Sequence, residues 1–156
     1  MLGNETDARF IRDWYIEGRG YGAPEGWKLI GSGCYRNAYL HVESGVVYKV
    51  QQSYGYGGQS NEYEANVLRE YFYTKKMPAG CRLPRFRFFE LDGKGVIAME
   101  KFDKLLKDFS IYGNGAEYYD RRDALQRALR NTYDLHGSNL AVDEVNQLLV
   151  PIDLGG

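Results

Sequence analysis

The sequence predicts an α+β protein, and three observations carry that prediction. Runs with strand texture, among them WKLI, VVYKVQ, RFRFF and GVIAME, are separated by Gly, Ser, Asn and Asp turn residues. Two stretches, NEYEANVLREYFY and the run around Ala124, Leu125, Ala128 and Leu129, instead carry apolar residues at helical spacing. The order is strands, helix, strands, helices and a last hairpin, which is no regular strand–helix alternation.

Each element has its own justification. Residues 1–26 predict a helix over 7–17, with Asp7 as cap and Phe10, Ile11, Trp14 and Tyr15 as its apolar face. The breaker GRGYGAPEG follows it. Residues 27–100 hold most of the strands. WKLI runs into GSGCYRNAYLHV, and Glu43, Ser44 and Gly45 turn the chain into VVYKVQ. These are two or three antiparallel strands whose first connection is glycine-rich. SYGYGGQ is a loop. In the helix after it, Glu64, Val67, Leu68 and Tyr71 share one face, whereas Glu62, Asn66, Arg69 and Tyr73 share another. RLPRFRFFE and GVIAMEKF, joined at Asp92–Gly93, predict a hairpin. Residues 101–156 begin with a brief helix at Leu105, Leu106 and Phe109. GNG interrupts it, the Ala124–Leu129 helix follows, and NLAVDEVNQLLVPIDLGG reads as two short strands around a polar turn.

Composition narrows the function classes. A chain of 156 residues, 44% hydrophobic, is long enough for one domain with a real core. Its 20 basic and 21 acidic residues nearly balance, so no broad attraction to nucleic acid follows. No apolar run reaches the length of a membrane span, and MLGNETDARF lacks the basic-then-apolar order of a secretion signal. Cys34 and Cys81 make neither a disulfide framework nor a zinc site. These features predict a soluble, cytoplasmic protein.

Three groups of residues could carry chemistry. Gly31 and Gly33 let the backbone approach a ligand closely and offer amides to phosphate oxygens, although Gly–Ser–Gly also serves ordinary hairpins. Lys49 lies within a strand between valines, and Glu64 lies on the apolar stripe of the next helix. A carboxylate buried alone is costly, so Glu64 requires a cation, and Lys49 is the nearest candidate in this strand–helix unit. Asp134 and Asn139 sit in a loop-like stretch, and Asp153 ends the partner strand of the hairpin that starts after Asn139. Asn139 and Asp153, as oxygen donors at neighbouring strand ends, suit Mg²⁺, and Asp134 could accept a hydroxyl proton. Each alone is equally a good turn residue.

Taken in order, these pieces resemble the protein-kinase-like superfamily, which holds protein kinases and aminoglycoside-type small-molecule kinases. The glycine loop appears as GSGCYRNA: Gly31 and Gly33 match, Arg36 replaces the third glycine and Ala38 the valine. The strand lysine motif appears as VVYK, ending in Lys49, and the helix glutamate is Glu64, with Glu62 the second choice. AMEKF resembles the hinge, with Met99 as gatekeeper-like residue and Glu100 to Phe102 as the adenine-binding edge. The catalytic loop appears as NTYDLHGSN; Asp134 and Asn139 keep their spacing, while Asn131, Thr132 and Tyr133 stand where the usual His would precede. The metal-binding DFG appears as Asp153, Leu154 and Gly155. His136 follows the style of small-molecule kinases and of compact kinase-like proteins from bacteria and their viruses.

The resemblance runs from about Leu29 to Gly155 and implies an antiparallel-sheet N-lobe with one helix and a much reduced C-lobe. It implies ATP and Mg²⁺ as cofactors. Gly31 and Gly33 would cover the phosphates, Lys49 braced by Glu64 would hold them, and Ala38 and Val47 would enclose the adenine. Asn139 and Asp153 would bind the metal, and Asp134 would be the catalytic base. The implied activity is transfer of the γ-phosphate to a hydroxyl of a protein or small molecule. The alternative is a kinase-like module that binds nucleotide or a partner protein without catalysis. The surface that the reduced C-lobe lacks would be supplied by a second copy, by another protein, or not at all.

Overall fold

The computed structural model describes residues 2–18, 22–33, 36–51, 60–74, 77–92, 94–129 and 135–154. They form two compact units: Met1–Asn66 with Arg85–Lys101, and Val67–Pro84 with Phe102–Leu154. The described chain is α+β, with a five-stranded antiparallel sheet, a separate two-stranded sheet and three α-helices.

The first unit is built on the sheet β1 (Trp27–Ser32), β2 (Arg36–His41), β3 (Val46–Gln51), β4 (Phe86–Phe89) and β5 (Val96–Glu100), in the spatial order β1-β2-β3-β5-β4. Every residue of β3 is buried. It lies between two strands and is covered on both faces, hence its near-continuous Val and Tyr content. One face presents Tyr39, Val46, Tyr48, Val50, Val96 and Ala98 to Ala8 and Ile11 of helix α1 (Glu5–Ile16), forming the unit's apolar core. Trp14 and Tyr15 set their rings edge-on against Tyr39 and extend that core.

Helix α1 begins earlier than the spacing predicts, and its cap is Asn4, not Asp7. The Asp7 amide donates to Asn4 Oδ1 at 2.8 Å. Both residues are good caps, and the one placed before the first helical turn takes the role. Phe10 also departs from expectation, being 49% exposed, and stacks on Trp27. The glycine-rich segment differs too. Gly31 and Ser32 belong to β1 itself, and the Gly33 amide donates to Arg36 O at 2.8 Å, closing a tight connection.

Pairing between β1 and β2 slips at one point. Leu29 faces Tyr39 but Gly31 faces Ala38, so Ile30 is an extra, bulged residue. Residues two apart normally share a face of a strand. The bulge breaks that rule and sends Leu29 and Gly31 to opposite faces.

Helix α2 (Ser60–Thr74) buries Asn61, Glu64, Ala65, Val67 and Leu68; of the predicted stripe, Glu64, Val67 and Leu68 are buried and Tyr71 is half-buried, while Glu62, Asn66 and Arg69 are exposed. The second unit centres on the hairpin β6 (Leu140–Asp143) and β7 (Leu148–Pro151). Cys81 bridges to Leu149 on one side and Leu105 to Ala141 on the other. The predicted brief helix is one 3-10 turn, Leu106–Asp108, and α3 (Ala116–Ala128) starts well before Ala124 and packs on β7. Among the described residues no helix is long and apolar enough to cross a membrane.

Candidate nucleotide site

Cross-strand register decides which side chains of the first unit share a face, because directly opposed residues point the same way. One row reads Gly31, Ala38, Lys49 and Ile97. The next reads Leu40, Val47, Met99 and Phe86. Thus Gly31, Ala38, Val47, Lys49 and Met99 occupy the sheet face opposite the α1 core. The bulge at Ile30 is what brings Gly31 there.

Lys49 is 8% exposed and Glu64 1%. Lys49 Nζ donates to Glu64 Oε1 at 2.6 Å. Two buried charges persist because each supplies what the other lacks, and a buried carboxylate stripped of its cations would cost about 3–5 kcal/mol. Glu62, the second choice for this role, faces solvent.

The carboxylate has a second cation, Arg36, which in the sequence stands only as a replacement for the third glycine. Arg36 Nη1 lies 2.8 Å from Glu64 Oε2. This is an ion pair rather than a hydrogen bond, because Oε2 has no well-aimed donor among the described residues. Arg36 Nη1 also donates to Asn61 Oδ1 at 3.2 Å. Asn61 in turn donates from Nδ2 to Lys49 O and Gly95 O, at 2.8 and 3.0 Å. Its backbone amide donates to Gln51 Oε1 at 2.6 Å. A buried Asn three residues before a buried Glu was the available signal for this network, since both fall on one helical stripe.

Met99 is buried at 2% exposure, and Glu100 is anchored to Arg85. The Glu100 amide donates to Arg85 O at 3.1 Å, while its Oε1 accepts from the Arg85 amide at 2.8 Å. Phe102 belongs to the second unit, where the Arg82 guanidinium covers its ring at 5.4 Å.

In the second unit, the ladder of β6 and β7 continues past its last strand pair: the Ile152 amide donates to Asn139 O at 3.0 Å. Asn139 and Asp153 therefore stand at neighbouring ends of one hairpin, and Asp153 is exposed. Asn139 Nδ2 meets His136 Nε2 at 3.3 Å, and His136 Nδ1 meets Ser138 Oγ at 2.7 Å. With its amide nitrogen on the ring, Asn139 would meet a cation through its oxygen. Two oxygen donors suit Mg²⁺, which keeps several waters and takes further oxygens from phosphate. Among the described residues no group of three His, Cys, Asp or Glu could hold a metal.

Asp134 lies outside the described residues, as do Asn131, Thr132, Tyr133, Cys34 and Gly155. The described part of that loop is docked by backbone: the Lys107 amide donates to Gly137 O at 3.1 Å. A Cβ at Gly137 would come within 2.9 Å of Lys107 N, so this glycine serves close packing. Burial pushes the Cys81 thiol up to about 11, which disfavours the thiolate form.

No family model and no curated protein matches this sequence. Among solved structures, one titled PpkA-294 apo form aligns over 85% of this chain at 16% identity and a TM-score of 0.42. The alignment spans 59% of that chain. At that score the likeness by itself defines neither a family nor an activity.

Proposed function

We infer that this protein is an ATP- and Mg²⁺-dependent phosphotransferase with a protein-kinase-like architecture. The observation that carries this reading is the buried Lys49–Glu64 pair, set on the same sheet face as Gly31, Ala38, Val47 and Met99. A buried ammonium beside small and aliphatic residues offers a polar end for phosphate and an apolar surface for a base. Lys49 donates to phosphate oxygens and Glu64 fixes its position. Gly31 and Gly33 let phosphates approach backbone amides. Ala38, Val47 and Met99 contact the adenine, with Glu100 and Phe102 flanking it.

Asn139 and Asp153 are the residues that would hold Mg²⁺, which supplies neutralisation of phosphate charge when bound. Asp134 takes the proton of an acceptor hydroxyl as that oxygen bonds to the γ-phosphorus; the bond to the β-phosphate oxygen breaks and ADP leaves. The acceptor is a hydroxyl of a protein or a small molecule.

Incubation with γ-labelled ATP and Mg²⁺, with and without generic protein and small-molecule acceptors, tests this. Label transfer lost in Asp134→Asn and Lys49→Met supports the enzyme. A rise in melting temperature with ATP and Mg²⁺ but no transfer identifies a nucleotide-binding module instead. No transfer and no thermal shift overturns both.

A further inference from the structure

Arg36 stands where the kinase-like pattern has a glycine, and its side chain is only 11% exposed. Burying a guanidinium is costly, so its charge must act on something. Its contacts are specific. It reaches Glu64 Oε2 at 2.8 Å while Lys49 holds Oε1 at 2.6 Å, and it reaches Asn61 one helical turn earlier at 3.2 Å. Through Asn61 the same turn of α2 is tied to the backbone of β3 at Lys49 and to Gly95 before β5. The terminal torsion of a Glu side chain is broad, so a carboxylate gripped at one oxygen still rotates. A second cation 2.8 Å from its other oxygen opposes that rotation.

We propose that Arg36 is a positioning residue for the phosphate-binding lysine: by pairing with the second oxygen of Glu64 it keeps the Lys49–Glu64 pair closed before any ligand arrives. A glycine at this position would leave the pair to open and close with the helix. This device rests on the reading of the first unit as a nucleotide site, and it adds that the site is set in advance rather than assembled on binding.

Two measurements on Arg36→Met, Arg36→Lys, Glu64→Gln and the Arg36→Met/Glu64→Gln double variant test it. The first is the affinity for a fluorescent N-methylanthraniloyl-ADP with Mg²⁺. The second is amide hydrogen exchange over Asn61–Asn66 without nucleotide. Arg36→Met should weaken binding roughly tenfold, a coupling common for side chains in contact, and speed exchange of those amides by a similar factor. Arg36→Lys should restore part of both, since it keeps the charge but loses the planar fork. In the Glu64→Gln background, Arg36→Met should change affinity less than about twofold, because its effect passes through the carboxylate.

Wild-type affinity together with wild-type exchange in Arg36→Met overturns the proposal. So does an equal loss in both backgrounds, which would make Arg36 a ligand contact or a packing residue. If Arg36→Met does not fold, Arg36→Lys decides alone: faster exchange and weaker binding support the lock, and unchanged values reject it. A wild-type protein that binds no nucleotide defeats the site reading, while the exchange measurement still decides whether Arg36 holds the helix.

Discussion

A Cβ built on Gly31 would lie 3.6 Å from Ala38 Cβ, and one on Gly33 would lie 3.6 Å from Arg36 O, both ordinary contacts. Neither residue has a positive φ. Gly115 is different, since a Cβ there would sit 2.5 Å from Ser110 O. The fold therefore demands glycine at 115 and not at 31 or 33; under the proposed function, the close approach of phosphates would be the reason for their size. Gly31→Ala and Gly33→Ala should keep the ligand-free protein as stable as wild type, or raise its stability by up to about 1 kcal/mol through a less disordered unfolded chain. They should weaken ATP binding roughly tenfold, as expected for a methyl group forced into a close contact. Melting curves with and without ATP and Mg²⁺ separate the two effects. Unchanged ATP stabilisation in both variants would remove the glycines from the site. The Lys49–Glu64 contact was legible at this scale, because helical spacing alone put a carboxylate on a buried stripe and only a cation makes that tolerable. Arg36 was not, because its reach depends on where the first turn of α2 lies over β2.

At the scale of elements, the β6–β7 hairpin is held at its turn by Asp143. Its carboxylate accepts from the Asn146 amide at 3.2 Å, from Asn146 Nδ2 at 3.0 Å and from Arg82 at 3.1 Å. The bonds from Asn146 first, and then Arg82, hold this carboxyl below the usual carboxylate range. Its contribution to stability is complete above the ordinary Asp pKa of about 4 and disappears as pH falls through the lowered value. The same turn contains Gln147 at φ 55°, a left-handed backbone that favours glycine. Its carbonyl accepts from Arg121, a bond that a change of side chain leaves in place. Gln147→Gly should therefore stabilise the protein by about 1 kcal/mol, a rise of roughly 2–4 °C in Tm. A melting temperature at or below that of wild type would show that the turn carries no such strain.

Across the whole molecule, stability should follow coverage. In the first unit β3 is buried throughout and has a strand on either side, whereas β1 is an edge strand with four of its six residues exposed. Native-state hydrogen exchange should find the slowest amides of that unit in β3 and faster ones in β1, by a factor of about ten in rate for each ~1.4 kcal/mol of local opening energy. Uniform protection across the five strands would contradict this ordering. The sequence by itself determined the α+β class, the β4–β5 and β6–β7 hairpins and the carboxylate on the buried stripe of α2, because periodicity, turn residues and the cost of lone buried charge are local quantities. It could not determine the bulge at Ile30 that turns Gly31 onto the lysine's face, or the second cation on Glu64. Those depended on register and on contacts between residues far apart in the chain, such as Arg36 with Asn61 and Glu64, and such contacts exist only once the sheet and helix have packed.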